Sequence, residues 1–161
     1  MMTTYTATER RSSLLQATSH GGAYGVKALV ATIEVAAATT VGLTIDFGRV
    51  PSNARILASS QLYWDDLATS GAPTLDLGIG AVNGNLANAD DPDALSAGHD
   101  TTSAGSASAL SEIANAGLQA WDFVASETTD PGGSLMVYGT LADAGVNQVG
   151  TCSLELYYVV D

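Results

Sequence analysis

Apolar and polar side chains alternate along much of this chain with the two-residue period of a β-strand, and the period is most complete in its last ten residues. In 151–160, Cys152, Leu154, Leu156, Tyr158 and Val160 fall on one face, and Thr151, Ser153, Glu155, Tyr157 and Val159 on the other. This pattern predicts a half-buried strand whose register is held by its neighbours and by the apolar face it buries. The apolar run at 135–141 is its expected partner. Between the two, 142–150 carries Asp143, Gly145 and Asn147, which is turn chemistry in a loop longer than the tightest hairpins, so a wide hairpin closing the fold is predicted.

Earlier segments repeat the theme. Strands are predicted at 24–35 and 39–47, joined by Ala36-Ala37-Ala38, and in the second Val41, Leu43, Ile45 and Phe47 alternate with Gly42, Thr44, Asp46 and Gly48. A turn at Pro51-Ser52-Asn53 breaks the pattern and 56–64 resumes it, with Ile56, Ala58, Ser60, Leu62 and Trp64 on one face. Asp65-Asp66 ends that strand, and after the turn at Ser70-Gly71-Ala72-Pro73 another follows at 74–79. The stretch 82–119 is dominated by small and polar residues and is too long for an ordinary connection, so it must hold structure of its own. Within it Leu110, Ile113 and Ala114 stand at helical spacing, Ser106 or Ser108 can cap, and Gly117 can stop, which predicts a short helix over 108–116. A short strand at 121–125 and a turn at Asp130-Pro131-Gly132-Gly133 lead into the final pair. Short alternating strands between Gly, Pro and Asp turns make this an all-β chain, an antiparallel β-sandwich over 24–161 with a long excursion at 82–119. The cysteine and tryptophan hallmarks of an immunoglobulin domain are missing, which favours a jelly roll. Residues 1–23, polar but for Leu14 and Leu15, read as an N-terminal arm whose Arg10 and Arg11 can reach carboxylates of a neighbour.

Composition narrows the function more than it alters the fold. A chain of 161 residues fits one domain with a full core. The single cysteine, Cys152, excludes an intrachain disulfide and fits a chain made in a reducing compartment. The start lacks an apolar leader core, and the apolar-rich run 28–45 is interrupted by Glu34 and several threonines, so strands rather than a membrane span are expected there. All five basic residues, Arg10, Arg11, Lys27, Arg49 and Arg55, lie in the first 55 positions against three acids, and from Ile56 onward there are fourteen acids and no lysine or arginine. Such a field repels nucleic acid and complements a basic partner.

Candidate chemistry is sparse. His20 and His99 are the only histidines, neither beside a strained nucleophile turn, and with Cys152 they do not make a zinc set. The glycines around Gly78-Ile-Gly80 lack the third glycine of a dinucleotide loop and read as places where a neighbouring chain approaches closely. Asp90, Asp91 and Asp93, with Asp100 further on, offer oxygen ligands suited to Ca²⁺ but without the spacing of an EF-hand, and a solvated acidic loop is the simpler expectation. Trp64 and Trp121, each beside an aspartate, suggest a carbohydrate-stacking platform, although plugging the core is the commoner use of a strand tryptophan. The outward face of the last strand ends in Tyr157 and Val159, which is apolar for a solvated surface, so Glu155, Tyr157 and Val159 are expected at a contact between proteins.

The order Phe47-Gly-Arg-Val-Pro51, Leu62-Tyr-Trp-Asp65, Leu75-Asp-Leu-Gly-Ile-Gly80, Asp93-Ala-Leu-Ser-Ala-Gly98, Asp122, Asp130-Pro-Gly-Gly133 and the 150–158 strand resembles the small virion proteins of tailed bacteriophages that decorate or cement the capsid. The resemblance covers about residues 20–160. It implies a jelly-roll sandwich, a non-enzymatic homotrimer without cofactor, made in the host cytoplasm and seated on the outer surface of the capsid, with the major capsid protein as partner and neither nucleic acid nor membrane. The alternative expectation is a carbohydrate-binding adhesion module of a head fibre or tail.

Overall fold

The computed structural model describes residues 4–6, 9–11, 25–37, 41–80, 91–111, 115–124 and 128–160. Their strands are β1 (Thr4–Thr6), β2 (Glu9–Arg11), β3 (Lys27–Val35), β4 (Leu43–Pro51), β5 (Ala54–Ile56), β6 (Gln61–Trp64), β7 (Thr74–Gly80), β8 (Asp91–Asp100), β9 (Gly105–Ser108), β10 (Ser134–Ala142) and β11 (Gly150–Val160). They form two sheets, one ordered β1-β4-β10-β7-β8 and the other β2-β3-β11-β6-β9, with β5 pairing β11 beyond the end of β6. All pairings are antiparallel except that of β1 with β4. The predicted antiparallel sandwich is thus the fold. Without the arm strands each sheet interleaves early and late parts of the chain, β3 beside β11 and β4 beside β10.

The alternating faces of the sequence meet in one core. Leu29, Ala31 and Ile33 of β3, Leu43, Ile45 and Phe47 of β4, Leu75, Leu77 and Ile79 of β7, Leu135, Val137 and Leu141 of β10, and Cys152, Leu154 and Leu156 of β11 are all buried between the sheets. The inward face expected for the last strand is borne out residue by residue, save that Val160 is only partly covered. Its expected partner is not. β11 pairs β3 on one side and β5 and β6 on the other, while β10 lies in the opposite sheet between β4 and β7. Residues 143–149 therefore cross from one layer to the other instead of closing a hairpin. Length-tolerant loops make both routes cheap in entropy, so the choice falls to the faces the strands must bury.

Three other expectations change. The strand predicted over 39–47 is Leu43–Pro51, because a bulge opposite Val137/Tyr138 lets the chain continue past Gly48. Gly48 has φ +135°, and a Cβ there would stand 2.8 Å from Leu29 Cδ1. The long excursion holds two strands of the sandwich, β8 and β9. Ser108 ends β9 where a helix was expected to start, Ala109 N–H donates to Ser60 O and Ser111 N–H to Leu95 O, so 109–111 is bonded to neighbouring segments rather than coiled on itself; residues 112–114 lie outside the described residues. The expected strand at 121–125 is instead a single 3-10 turn, Ala120–Phe123, in which the Asp122 carboxylate accepts the Gln119 N–H.

Candidate interaction surface

The exposed side of the second sheet is set by β11, its central strand. With Cys152, Leu154 and Leu156 committed inward, Thr151, Ser153, Glu155, Tyr157 and Val159 face out and are half-exposed. The register lays cross-strand rows over this face. Ser153 stands between Thr32 and Tyr63, with Ser106 beyond Tyr63, and Glu155 stands between Val30 and Gln61. The Thr32 and Ser153 hydroxyls are 2.9 Å apart in a hydrogen bond, and Tyr63 is 40% exposed.

Both ends of the row are pinned. At the start of β11 the Asp65 carboxylate accepts the Thr151 N–H at 2.9 Å and its hydroxyl at 2.6 Å, and these two bonds hold the Asp65 carboxyl below its ordinary range. Toward the other end, Leu57 N–H donates to Tyr157 O, and the fully buried Ser60 hydroxyl accepts the Tyr157 N–H at 2.8 Å. Ser60 spans the gap between β5 and β6, so the backbone of Tyr157 is satisfied where the ladder is interrupted. In the sequence Ser60 shares a face with Ile56, Ala58, Leu62 and Trp64, and a serine within that apolar row is the one signal of its role.

The expected contact residues Glu155, Tyr157 and Val159 lie together on this face. Arg10 and Arg11 are in β2, whose backbone pairs the edge of β3 at Ala31 and Val30, so part of the arm extends this same sheet. β1 adds to the edge of the first sheet beside β4. Leu14, Leu15 and His20 lie outside the described residues.

The other candidates separate. Asp91 and Asp93 neighbour one another at the start of β8, where burial pushes the Asp91 carboxyl up. Asp100 is at the far end, nine residues on at ~3.3 Å each, and its carboxylate accepts the N–H and hydroxyl of Thr102. These carboxylates do not converge on one ion; Asp90 lies outside the described residues, and among those described no three His, Cys, Asp or Glu side chains gather as a metal group. Trp64 is buried, its indole N–H donating to Asp100 O and Ser103 O and its ring stacked on His99 at 5.2 Å, so it fastens the β8–β9 turn and offers no platform. His99 is held below its ordinary pKa chiefly by burial, with the Asp76 carboxylate opposing, and its Nε2 has no hydrogen-bond partner among the described residues. Trp121 is half-buried and donates to Gln119 Oε1. Burial pushes the Cys152 thiol up to about 12, which removes it as a nucleophile.

What this face can do chemically is bind. It carries backbone already satisfied in ladders, small hydroxyls, one exposed tyrosine and an apolar end, which suits contact with another protein surface.

No family model matches the chain, and no curated protein matches it significantly. Two solved structures share its fold almost end to end. A chain from the capsid of Ralstonia phage GP4 superposes with a TM-score of 0.65 at 21% identity, over 98% of this chain and 98% of that one. A chain from the Cyanophage Pam1 capsid asymmetric unit superposes with a TM-score of 0.52 at 22% identity, over 96% of this chain and 99% of that one. At these identities the likeness is one of fold.

Proposed function

We propose that this chain is a non-enzymatic structural protein of a bacteriophage virion, which decorates the outer surface of the capsid and stabilises it by bridging subunits of the major capsid protein. The observation that carries the reading is the end-to-end match of the whole chain to chains of two phage capsids, with 98% and 96% of its length covered. What is shared with those chains is the sandwich itself. The open face of the second sheet and the N-terminal arm supply two kinds of contact, a broad side-chain surface and a strand edge. Repeated over a shell, weak contacts of both kinds add by multivalency, and a homotrimer would triple the number made by each particle.

The test is binding to shells. Full-length protein is mixed with capsids that lack it, and the shells are imaged by electron microscopy and heated to rupture. Ordered density on the outer surface with a raised rupture temperature is the expected result. Absence of the protein from washed shells, or a density at the tail alone, would overturn the reading. A version lacking residues 1–20, compared at equal concentration, tests the arm: reduced occupancy is expected, and equal occupancy would remove Arg10, Arg11, Leu14 and Leu15 from the contact.

A further inference from the structure

The edges of a two-sheet sandwich are places where another strand can add, and in this fold they are closed unequally. On one side β9 is only four residues long, and the β8 edge is bonded at Leu95 O by the Ser111 N–H and at Ala94 O by the Asn115 side-chain amide. On the other side the edges are β3 and β4, nine residues each, and they adjoin, since a Cβ at Gly48 of β4 would meet Leu29 of β3. There the N-terminal arm supplies the cover. β1 pairs Thr44, Ile45 and Asp46 of β4, and β2 pairs Val30, Ala31 and Thr32 of β3. Among the described residues the rest of the β3 edge has no ladder partner on that side.

Left bare, β3 is a template for strand addition: Lys27–Val35 is rich in apolar and β-branched residues, with its two charges near the ends at Lys27 and Glu34. β2 instead puts three consecutive charged residues, Glu9, Arg10 and Arg11, on the outermost strand, which makes that edge unattractive to a further strand. Only Ala7 and Thr8 separate β1 from β2 in the sequence. The three Cα steps from Thr6 to Glu9 reach about 10–11 Å at most, and packed sheets stand about 10 Å apart, so the arm spans the two layers without slack. Lifting one strand loosens the other. The hold is light, because fixing each residue costs backbone entropy at least as large as an exposed cross-strand pair returns.

We propose that the arm is a displaceable strap over a strand-addition site. In the free protein β1 and β2 hold the β4 and β3 edges closed. On the shell an extended segment of the major capsid protein takes the β3 edge in place of β2, and the freed arm makes the contact proposed for Arg10 and Arg11. The occupant is an extended segment because that is what the edge already holds, in antiparallel register. It displaces β2 by pairing more of the nine residues than the three that β2 reaches, and its side chains alternate so as to continue the buried row of Leu29, Ala31, Ile33 and Val35. The identity of the partner rests on the proposed virion role; the opening of the strap does not.

A reversible lock on the strap provides the experiment. Glu9 and Thr32 are partners in the ladder, and antiparallel partners stand about 4.5–5.5 Å apart at Cα, within disulfide reach. The full-length chain with Glu9→Cys and Thr32→Cys is therefore locked when oxidised and free when reduced. The native Cys152 is buried, its thiol pushed up to about 12, and does not compete. Either single variant should behave as the parent. A folded double variant that fails to oxidise overturns the placing of β2 on β3. Without shells, hydrogen exchange at the β3 amides that face β2 should be about tenfold or more slower in the oxidised form than in the reduced one, and equal rates overturn the strap. With capsids that lack the protein, occupancy at limiting concentration should fall about tenfold or more on oxidation, and the same β3 amides of the reduced protein should exchange more slowly when bound than when free. Equal occupancy, or β3 amides that do not slow on binding, overturns the exchange of strands. Parent and reduced protein that both fail to bind shells would sink the virion role and the capsid partner with it, while the exchange comparison without shells still decides the strap.

Discussion

The outer faces of the two sheets are built from the same alternation yet end in opposite conditions. On the first sheet four outward side chains of β4 and β10 are themselves buried: Thr44 is 1% exposed, Met136 and Tyr138 4%, and Asp46 5%. On the second, Thr32 and Tyr63 are exposed and Ser153, Glu155, Tyr157 and Val159 half-exposed. Around these four residues the first layer is covered on both sides and behaves as core, although Arg49, Asp76 and Thr140 of the same face are half-exposed; the second is covered on one side and keeps its outer surface for solvent or a partner. A period of two identifies the faces of a strand, but whether the second face is closed depends on what crosses it.

The strongest way to break this contrast is to truncate one tyrosine on each face. Tyr138→Ala removes a buried ring from the closed face and should cost about 3–5 kcal/mol, as large aromatic truncations in cores do, measured by urea unfolding. Tyr157→Ala on the open face should cost well under about 1 kcal/mol in the isolated protein, within the range of surface changes. Equal losses would mean the two faces are covered alike. The next effect is smaller and steric. A Cβ at Gly78 would stand 2.4 Å from Asp91 O and 2.6 Å from the Pro92 backbone, atoms that can yield only if β8 moves. Gly78→Ala should therefore destabilise by about 1–3 kcal/mol, whereas Ser153→Val on the open face should stay within about 0.5 kcal/mol of the parent.

The same contrast explains what could be read beforehand. The inner face of β11 was legible because five apolar residues at strict alternation admit one burial pattern. The partner of β11 was not, since alternation fixes a face and says nothing of the neighbour, and β10 has an equally apolar inner row that serves the other layer. β8 and β9 went unread for a different reason. In β8 only Ala94, Leu95 and Ser96 are buried in a row, between Pro92 and Gly98, so no period survives. In β9 the small residues are a consequence of packing, because a Cβ at Gly105 would meet the Trp64 ring at 2.7 Å. The small-residue stretch that resembled a loop is a strand fitted beneath an indole. Of the candidate contact face, Glu155, Tyr157 and Val159 were visible as an apolar-ended outward row; Thr32, Tyr63, Lys27 and Arg55 join it only through register across strands distant in sequence.

Acid should sharpen the comparison at the junction of the two sheets. His99 of the first sheet stacks on Trp64 of the second, its Nε2 without a hydrogen-bond partner among the described residues, and burial favours the neutral ring. The folded-state pKa therefore lies below the ordinary 6.5, so on acidification the unfolded chain takes up its proton first. Stability should fall as pH drops from about 6.5 through the folded value and level off below it, by no more than one proton's linkage. His99→Phe, which keeps a ring against Trp64, should remove that part of the slope in melting temperature between pH 7 and 5. A parent protein whose stability is flat over this interval would show that the ring is charged without penalty.

The smallest effect belongs to the open face. Asp65 is solvent-exposed, and its two bonds to Thr151 favour the carboxylate, so its folded pKa lies below the ordinary 3.8. The stability it contributes is present above that ordinary value and is lost as pH falls through the folded one, in a window below that of His99. Solvent screens an exposed pair, which limits the loss to a fraction of what a buried carboxylate gives. Asp65→Asn keeps an acceptor for the Thr151 N–H and should differ little from the parent at pH 3. At pH 7 it should be slightly less stable, and the gap between the two curves should close on acidification. Because Asp65 fixes only the first residue of β11, hydrogen exchange in the variant should quicken at Thr151 and remain slow at Leu154 and Leu156. Faster exchange along the whole strand would mean that the open face depends on this cap more than on the core beneath it.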